Sequence, residues 1–408
     1  MRNLLFIDTS YTYNQIIKRN SINIILARDL NQYFNKVISV HPTANLTDKF
    51  LFQNNSYYKK NIVNKQHIFF EFKASNGHRG IFLEYLSFIF YQIRMILKLK
   101  KIIKEEKITD IKCGDINYSG LLGMLLSFFT KIKFYVRVGS NNDKIREVIK
   151  RPLQPKFFRL IVIEKYFEKL ISKRASHIFP ANNDNAKFVS MYLKNTSKLT
   201  LIRYGPLIND IHYLPRENRI ISHEELSAVV KNNNKIITCL ARFEKVKKVD
   251  HVILVFKKLL KKNKKLKLFL VGDGSLKEEY INLSKKLNIF QNIIFSGDKD
   301  QKWISELLSI TDLIISPHTG RALCEAALAG CKIVGYDIDW QSEIVMHRKN
   351  GFLVKYGDVN QLTLYALEIL ENPIKYELFG LELRKKALKL LDKHISLNDE
   401  IKVYKYLK

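Results

Sequence analysis

The chain has 408 residues, a net charge of +30 and a 46% hydrophobic share. That length exceeds one ordinary core and predicts two domains of about 200 residues each, while the apolar share excludes a disordered chain. So large a positive charge calls for an anionic partner, namely nucleic acid, an anionic membrane or a phosphorylated substrate, although a lysine- and asparagine-rich genome bias would account for part of it.

The chain opens on a predicted strand, Leu4-Leu5-Phe6-Ile7, in an apolar run too short for a signal peptide. A helical pattern near residues 20–34 precedes a second strand at residues 36–40. Residues 43–80 are rich in Asn and Lys and show no clear period. A long amphipathic helix follows over residues 82–106, and Glu84, Gln92, Arg94 and Lys98 within its most hydrophobic window argue against a membrane span. Residues 110–113 read as a strand, 121–129 as a helix, 134–138 as a strand and 157–173 as a helix, with short strands at 177–180 and 199–202. Strands alternating with helices predict a parallel, doubly wound sheet.

From residue 206 to 234 the pattern breaks around Pro206, Pro215 and Asn232-Asn233-Asn234, which reads as an interdomain connection between an N-terminal domain (1–205) and a C-terminal one (235–394). The second domain repeats the strand–helix alternation, with strands at residues 235–240, 266–271, 292–295, 313–316, 332–336 and 352–354. Helices near 375–391 and 397–407 end the chain. The fold class is therefore α/β, with two Rossmann-like doubly wound domains, and ligands of such sheets bind at the carboxyl ends of the strands. The four cysteines, Cys113, Cys239, Cys324 and Cys331, show no zinc spacing and read as reduced residues of a cytoplasmic protein.

The run from Ser316 to Gly330 is the most informative. A short strand leads into a turn with Pro317, Thr319 and Gly320, and a small-residue helix then starts at Arg321. Unpaired N–H groups at a helix start make an anion site, and a guanidinium adds a charged fork. Glu325, one turn on, reads equally as an acceptor for ribose hydroxyls or as a solvated helix residue after an ordinary βα turn. Other signals come before it in fixed order. Arg242 and Lys247 follow the first strand of the domain, Gly272-Asp273-Gly274 the second, and Phe295-Ser296-Gly297 the third. Two Asp-x-Asp pairs, Asp298/Asp300 and Asp337/Asp339, have a spacing that can hold a divalent cation, but such pairs are common in loops after strands and no metal or other cofactor is expected. Trp340 reads either as a pocket wall or as core.

As a set, these motifs resemble the nucleotide-sugar half of glycosyltransferase family 4, the retaining enzymes of GT-B fold. The likeness rests on Arg242 and Lys247 at the family's Arg-x4-Lys spacing, Gly272-Asp273-Gly274, Phe295-Ser296-Gly297, and Glu325-Ala326-Ala327-Leu328-Ala329-Gly330. Lys332-Ile333-Val334, Glu343 and Asn350-Gly351-Phe352-Leu353-Val354 extend it. The resemblance implies that Arg242 and Lys247 bind the donor phosphates and act with Glu325 in catalysis, Glu325 holding the ribose. It implies donor contacts from Gly272, Gly297, His318, Thr319, Gly320, Arg321 and Glu343. It also implies that the last helix, in residues 395–408, crosses back to the N-terminal domain. Two departures stand out. Pro317 occupies the place of the first Glu of the family's Glu-x7-Glu motif, and Asp8-Thr9-Ser10-Tyr11 replaces the glycine-rich loop after the first strand.

In the N-terminal domain Asp8, Asp115, Arg137 and Asp143 follow strands and are the candidate acceptor-side residues. Ser119 reads as a helix cap. Between residues 144 and 173, Arg146, Lys150, Arg151, Lys156 and Arg159 mix with Phe157, Phe158, Leu160 and Ile161, a mixture suited equally to an anionic bilayer or to a solvated helix face. The lysine pairs between 257 and 265 read as a solvated face. The expected protein is a glycosyltransferase moving a sugar from a nucleotide diphosphate sugar to a hydroxyl with retention, on a saccharide or lipid-linked saccharide of cell-surface polysaccharide synthesis, cytoplasmic or peripheral on the inner face of the membrane. The alternatives are a nucleotide-sugar epimerase of the same fold and a catalytically degenerate membrane-associated scaffold. No helix-turn-helix, RNA-recognition or zinc motif supports a nucleic-acid partner.

Overall fold

In the computed structural model, which describes residues 2–48, 51–52, 56–77, 80–155 and 157–407, the chain divides into two units. The first comprises Met1–Arg203 and Lys393–Lys408, the second Tyr204–Asp392.

The first unit is built on seven strands: β1 (Asn3–Ile7), β2 (Lys36–His41), β3 (Tyr58–Ile62), β4 (His67–Phe72), β5 (Asp110–Cys113), β6 (Lys133–Val138) and β7 (His177–Pro180). Their order is β3-β4-β2-β1-β5-β6-β7, and every pair is parallel except the edge pair β3–β4. The central strand β1 reads as a near-continuous apolar run, Leu4-Leu5-Phe6-Ile7, because both faces are covered. The helices Ile81–Glu105, Tyr118–Thr130 and Ile161–Arg174 are the crossovers on one face, burying Met95, Leu99, Leu122, Leu126 and Ile171. The C-terminal helix Lys393–Tyr406 belongs to this unit. Its Tyr404 is fully buried among Phe34, Tyr135 and Phe179, and its Glu400 pairs with buried Lys112.

The second unit has six parallel strands: β8 (Lys235–Leu240), β9 (Leu266–Val271), β10 (Ile293–Gly297), β11 (Leu313–Ser316), β12 (Ile333–Tyr336) and β13 (Phe352–Val354), in the order β10-β9-β8-β11-β12-β13. The helix Val249–Lys262 shows why the pattern folds this way. Val252, Ile253, Val255, Phe256, Leu259 and Leu260 face the sheet at helical spacing, while Lys258, Lys261 and Lys262 stay in water. Residues 204–234, expected as a connection, group with this unit. They form short 3-10 turns and the helix Glu224–Lys231, held by Arg216 and Arg219 donating to the carbonyls of Ser309, Thr311 and Ser305.

Four local expectations change. Residues 43–80, patternless in sequence, hold β3 and β4, an antiparallel hairpin whose edge strand β3 carries the adjacent Lys59 and Lys60. The stretch 20–34 holds only short helical turns. Residues 199–202 make a single bridge, Ile178↔Leu199, rather than a strand. The helix expected from residue 157 starts at Ile161, because Glu164 accepts the amides of Leu153 and Gln154 and folds the preceding loop back on itself.

Candidate donor site in the second unit

The chain runs outward from β8 to β10 and then returns to build β11, β12 and β13 on the other side of β8. The loops after β8 and β11 therefore leave the sheet in opposite directions, and a crevice opens at their carboxyl ends. Arg242 and Lys247 come from the first loop, Pro317 to Arg321 from the second.

Lys247 crosses this switch point. Its Nζ donates to His318 Nδ1 and to the Thr319 carbonyl, each at 3.0 Å. His318 Nδ1 also stands 3.0 Å from the Thr319 carbonyl, and its Nε2 lies 3.4 Å from Asp339 Oδ2. Thr319 Oγ1 donates to the same Asp339 oxygen at 2.9 Å. Burial lowers the Lys247 pKa to about 8, with the neighbouring Arg242 charge acting in the same direction and Asp339 opposing. Burial, and then the Lys247 charge, lower His318 to about 4, so the imidazole is neutral at physiological pH. Arg242 is exposed and, among the described residues, its side chain makes no hydrogen bond or ion pair.

Gly320 caps the helix Arg321–Leu328 with φ +156 and ψ −173, and no side chain bonds its first turn. A Cβ there would meet nothing within 4 Å, so the space over the helix start is open. Arg321 Nε lies 3.3 Å from Glu325 Oε1. Glu325 is buried, yet that oxygen has no hydrogen bond. A buried carboxylate oxygen held only by an ion pair is costly unless a further donor completes it.

The two glycine motifs bring backbones together. Gly272 (φ +138) donates its N–H to Gly297 O at 2.9 Å, and a Cβ on it would lie 2.0 Å from Ala241 O. The loop carrying Arg242 is thus clamped on the end of β9. Gln341, not singled out in the sequence, clamps the other side by donating Nε2 to the carbonyls of Ser316 and Tyr336 at 3.2 and 2.7 Å. Asp339 was also missed in this role: it was read only as half of an Asp-x-Asp pair. Its φ of +52 turns its carboxylate toward His318 and Thr319, and no local sequence signal marks that. Asp300 of the other pair caps the helix Gln301–Ile310 by accepting from Trp303 N. Trp340 packs in the core, stacked on Tyr204 with ring centroids 5.4 Å apart. Glu343 is half-buried on the helix Gln341–Ile344, where its charge acts on Lys386.

In the first unit the corresponding switch point lies between β1 and β5, and it holds Asp8 and Asp115. Asp8 accepts from Arg28 and from the amide and hydroxyl of Ser10. Asp115 is half-buried, desolvation raises its pKa, and it accepts from Asn117 N, Ser119 N and Ser119 Oγ. Ser119 therefore lies inside the first helical turn, and Asp115 does the capping. Arg137 donates to Ile202 O, and Asp143 pairs with Arg146 and Lys165. Arg146, read in sequence among residues suited to a membrane, is buried against Glu164 and Glu168.

Comparisons with known proteins agree with this layout. Residues 223–387 match the family "Glycosyl transferases group 1". The N-acetyl-alpha-D-glucosaminyl L-malate synthase of Bacillus anthracis is 27% identical over 187 residues, 41% of this chain and 48% of that protein, so the match spans about half of the relative's length. Among solved structures, sucrose-phosphate synthase from Thermosynechococcus elongatus aligns with TM-score 0.76 at 14% identity, covering 100% of this chain and 99% of the other. Anabaena HepE in complex with UDP-glucose aligns with TM-score 0.71 at 16% identity, covering 100% and 99%. The chain has the GT-B fold of two Rossmann-like units, and its second unit contains a glycosyl transferases group 1 domain.

Proposed function

We propose that the chain is a retaining glycosyltransferase of family 4 type that moves a sugar from a nucleotide diphosphate sugar to a hydroxyl of a saccharide or lipid-linked saccharide. The observation that carries the reading is the convergence at one turn of the Lys247 ammonium, the open Gly320 helix start, Arg321 and the incompletely bonded Glu325. A diphosphate seated over Gly320 accepts from the helix-start amides and meets Lys247, with Arg242 free to swing onto its outer oxygens. Ribose hydroxyls supply the donor that Glu325 Oε1 lacks. As the glycosidic bond breaks, negative charge grows on the leaving diphosphate, and these fixed cations and amides stabilise it without reorganisation. The neutral His318 is the neighbour of Pro317, which stands where the family motif has its first Glu, and it offers the donor sugar a hydrogen bond rather than a charge. The binding of UDP-glucose by Anabaena HepE, of like fold, supports a nucleotide-sugar donor.

The test incubates the protein with a panel of α-linked nucleotide sugars and saccharide acceptors and reads the anomeric proton coupling of the product by NMR. An α-linked product supports the reading. A β-linked product overturns retention, and epimer or free nucleotide appearing equally well without acceptor favours an epimerase instead.

A further inference from the structure

The long helix Ile81–Glu105 carries a face that no part of the described chain covers. Phe82, Leu86, Ile89, Ile93 and Leu97 recur at three- and four-residue spacing along it, and all are exposed, Phe82 to 72%. That stripe is about 22 Å long at the rise of an α-helix. It ends on Lys100 and Lys104, which continue the same line and are exposed. The helix Ile161–Arg174 repeats the layout: Val162, exposed to 77%, and Tyr166 are followed by Lys169 and Lys173.

Both helices lead into parallel strands, β5 and β7, so they run the same way back across the sheet. Their apolar halves therefore share the carboxyl edge, where the loops after β1 and β5 also lie. There they border one groove of about 1020 Å³ whose lining includes Tyr85 and Phe88 from one helix, Ile163 and Phe167 from the other, and Phe158 between them. At the opposite end of the helix between them, Phe128 and Phe129 are exposed beside Lys131 and Lys100.

An apolar stripe of this length rimmed by lysine is an interaction surface rather than scatter. The charge says with what. Most nearby acids are paired with cations: Glu164 and Glu168 are buried on Arg146, Glu105 pairs with Lys101, and Asp143 pairs with Lys165, while Glu84 in the groove accepts from Ser75 Oγ. A second copy seated face to face with its helix parallel would set lysine against lysine. Among the described residues no helix is long and apolar enough to cross a membrane. We propose that this face seats the first unit on an anionic phospholipid bilayer. Its aromatic and aliphatic side chains enter the boundary between headgroups and acyl chains, and the lysines lie at the headgroups, as in interfacial amphipathic helices. The surface does not depend on the donor reading; it brings the carboxyl edge of the first unit to the lipid, where a lipid-linked acceptor would be met.

The test is co-sedimentation of the full chain with vesicles of phosphatidylcholine alone and of phosphatidylcholine with 30% phosphatidylglycerol. The wild type should bind the mixed vesicles and not the neutral ones. Phe82→Ser/Leu86→Ser/Ile93→Ser should lower the partition coefficient at least tenfold. Lys100→Glu/Lys104→Glu, which leaves the apolar stripe intact, should lower it by at least about 25-fold, roughly fivefold for each lysine removed from the surface before the added carboxylates are counted. Lys261→Glu/Lys262→Glu, an equal charge change on the second unit, should leave it within about threefold. Thermal unfolding of each variant shows whether it is folded, and the lysine pair decides the matter if the apolar variant is not. Wild-type binding by the folded apolar variant, an equal loss in the second-unit control, or no binding by the wild type overturns the proposal. So does a concentration-dependent dimer of the wild type that the apolar substitutions abolish.

Discussion

Raising the pH from about 7 to about 8.5 changes the charge of one group in the donor turn more than any other. Lys247 is held near 8 by burial and by Arg242, whereas His318, near 4, is already neutral. A bound diphosphate favours the ammonium and lifts its pKa, so above 8 the free protein must take up a proton before it binds. The sign follows: affinity is full below 8 and falls as the pH rises. With the bound-state pKa well above the range, the apparent Kd scales as one plus the ratio of neutral to charged Lys247. That gives an increase of about fourfold across the interval, or roughly 0.8 kcal/mol. The second ionisation of a phosphate lies near ~6 and contributes little above neutral pH. The assay is calorimetric titration of the tightest-binding nucleoside diphosphate in two buffers of different ionisation enthalpy. At pH ~8 about half a proton should be taken up for each nucleotide bound. Lys247→Arg should bind with a Kd that does not change over the range, because a guanidinium stays charged. A wild-type Kd constant within measurement error, or the same slope in Lys247→Arg, refutes the reasoning.

Three further outcomes are expected. Arg242→Ala should leave the unfolding midpoint within about 0.5 kcal/mol of wild type, since the side chain is exposed and unpaired among the described residues, while kcat/KM for transfer falls roughly 100-fold; steady-state kinetics beside a denaturant curve checks both. Gly272→Ala should cost more stability than Gly320→Ala. The first forces a Cβ onto Ala241 O at 2.0 Å, whereas the second meets open space and pays only about 1–2 kcal/mol for its backbone angle; equal midpoints would remove the clamp from the account. Glu400→Ala should destabilise the first unit by about 3–5 kcal/mol, because it strands Lys112 in a site where burial already lowers its pKa, and Glu400→Leu/Lys112→Met should recover most of that loss in a urea midpoint.

Much of the second unit was legible because its chemistry is local. Arg242 and Lys247 share one loop, Gly272 and Gly297 end neighbouring strands, and Gly320, Arg321 and Glu325 follow one another through a single turn and helix. Asp339 and Gln341 were not legible as partners of that turn. They reach it from the loop after β12, and only the strand order β8-β11-β12 brings them there. The first unit was harder for the same reason. Asp8, Asp115 and Asp143 follow strands as expected, but each is engaged by neighbours that the spacing does not announce: Arg28, the amide of Ser119, and Lys165. Arg146 looked like one basic residue among many until Glu164 and Glu168 were found to bury it. In the opposite direction, the apolar residues of the long helix look like core in sequence. Their exposure is visible only once Met95, Leu99 and Ile103 are seen to take the buried side. β3 and β4 were missed because an edge hairpin carries lysines and asparagine where a central strand would carry valine and isoleucine.

The central claim is that the turn and helix start between Ser316 and Gly330 hold the donor nucleotide through Glu325. Calorimetric titration of UDP, GDP and CDP into wild type and into Glu325→Gln tests it most directly, since the substitution keeps shape and removes the charge that two ribose hydroxyls would donate to. The account predicts binding of at least one nucleotide by wild type and a loss of about tenfold or more in a variant whose unfolding midpoint is unchanged or higher. Equal affinity in the two proteins would contradict it.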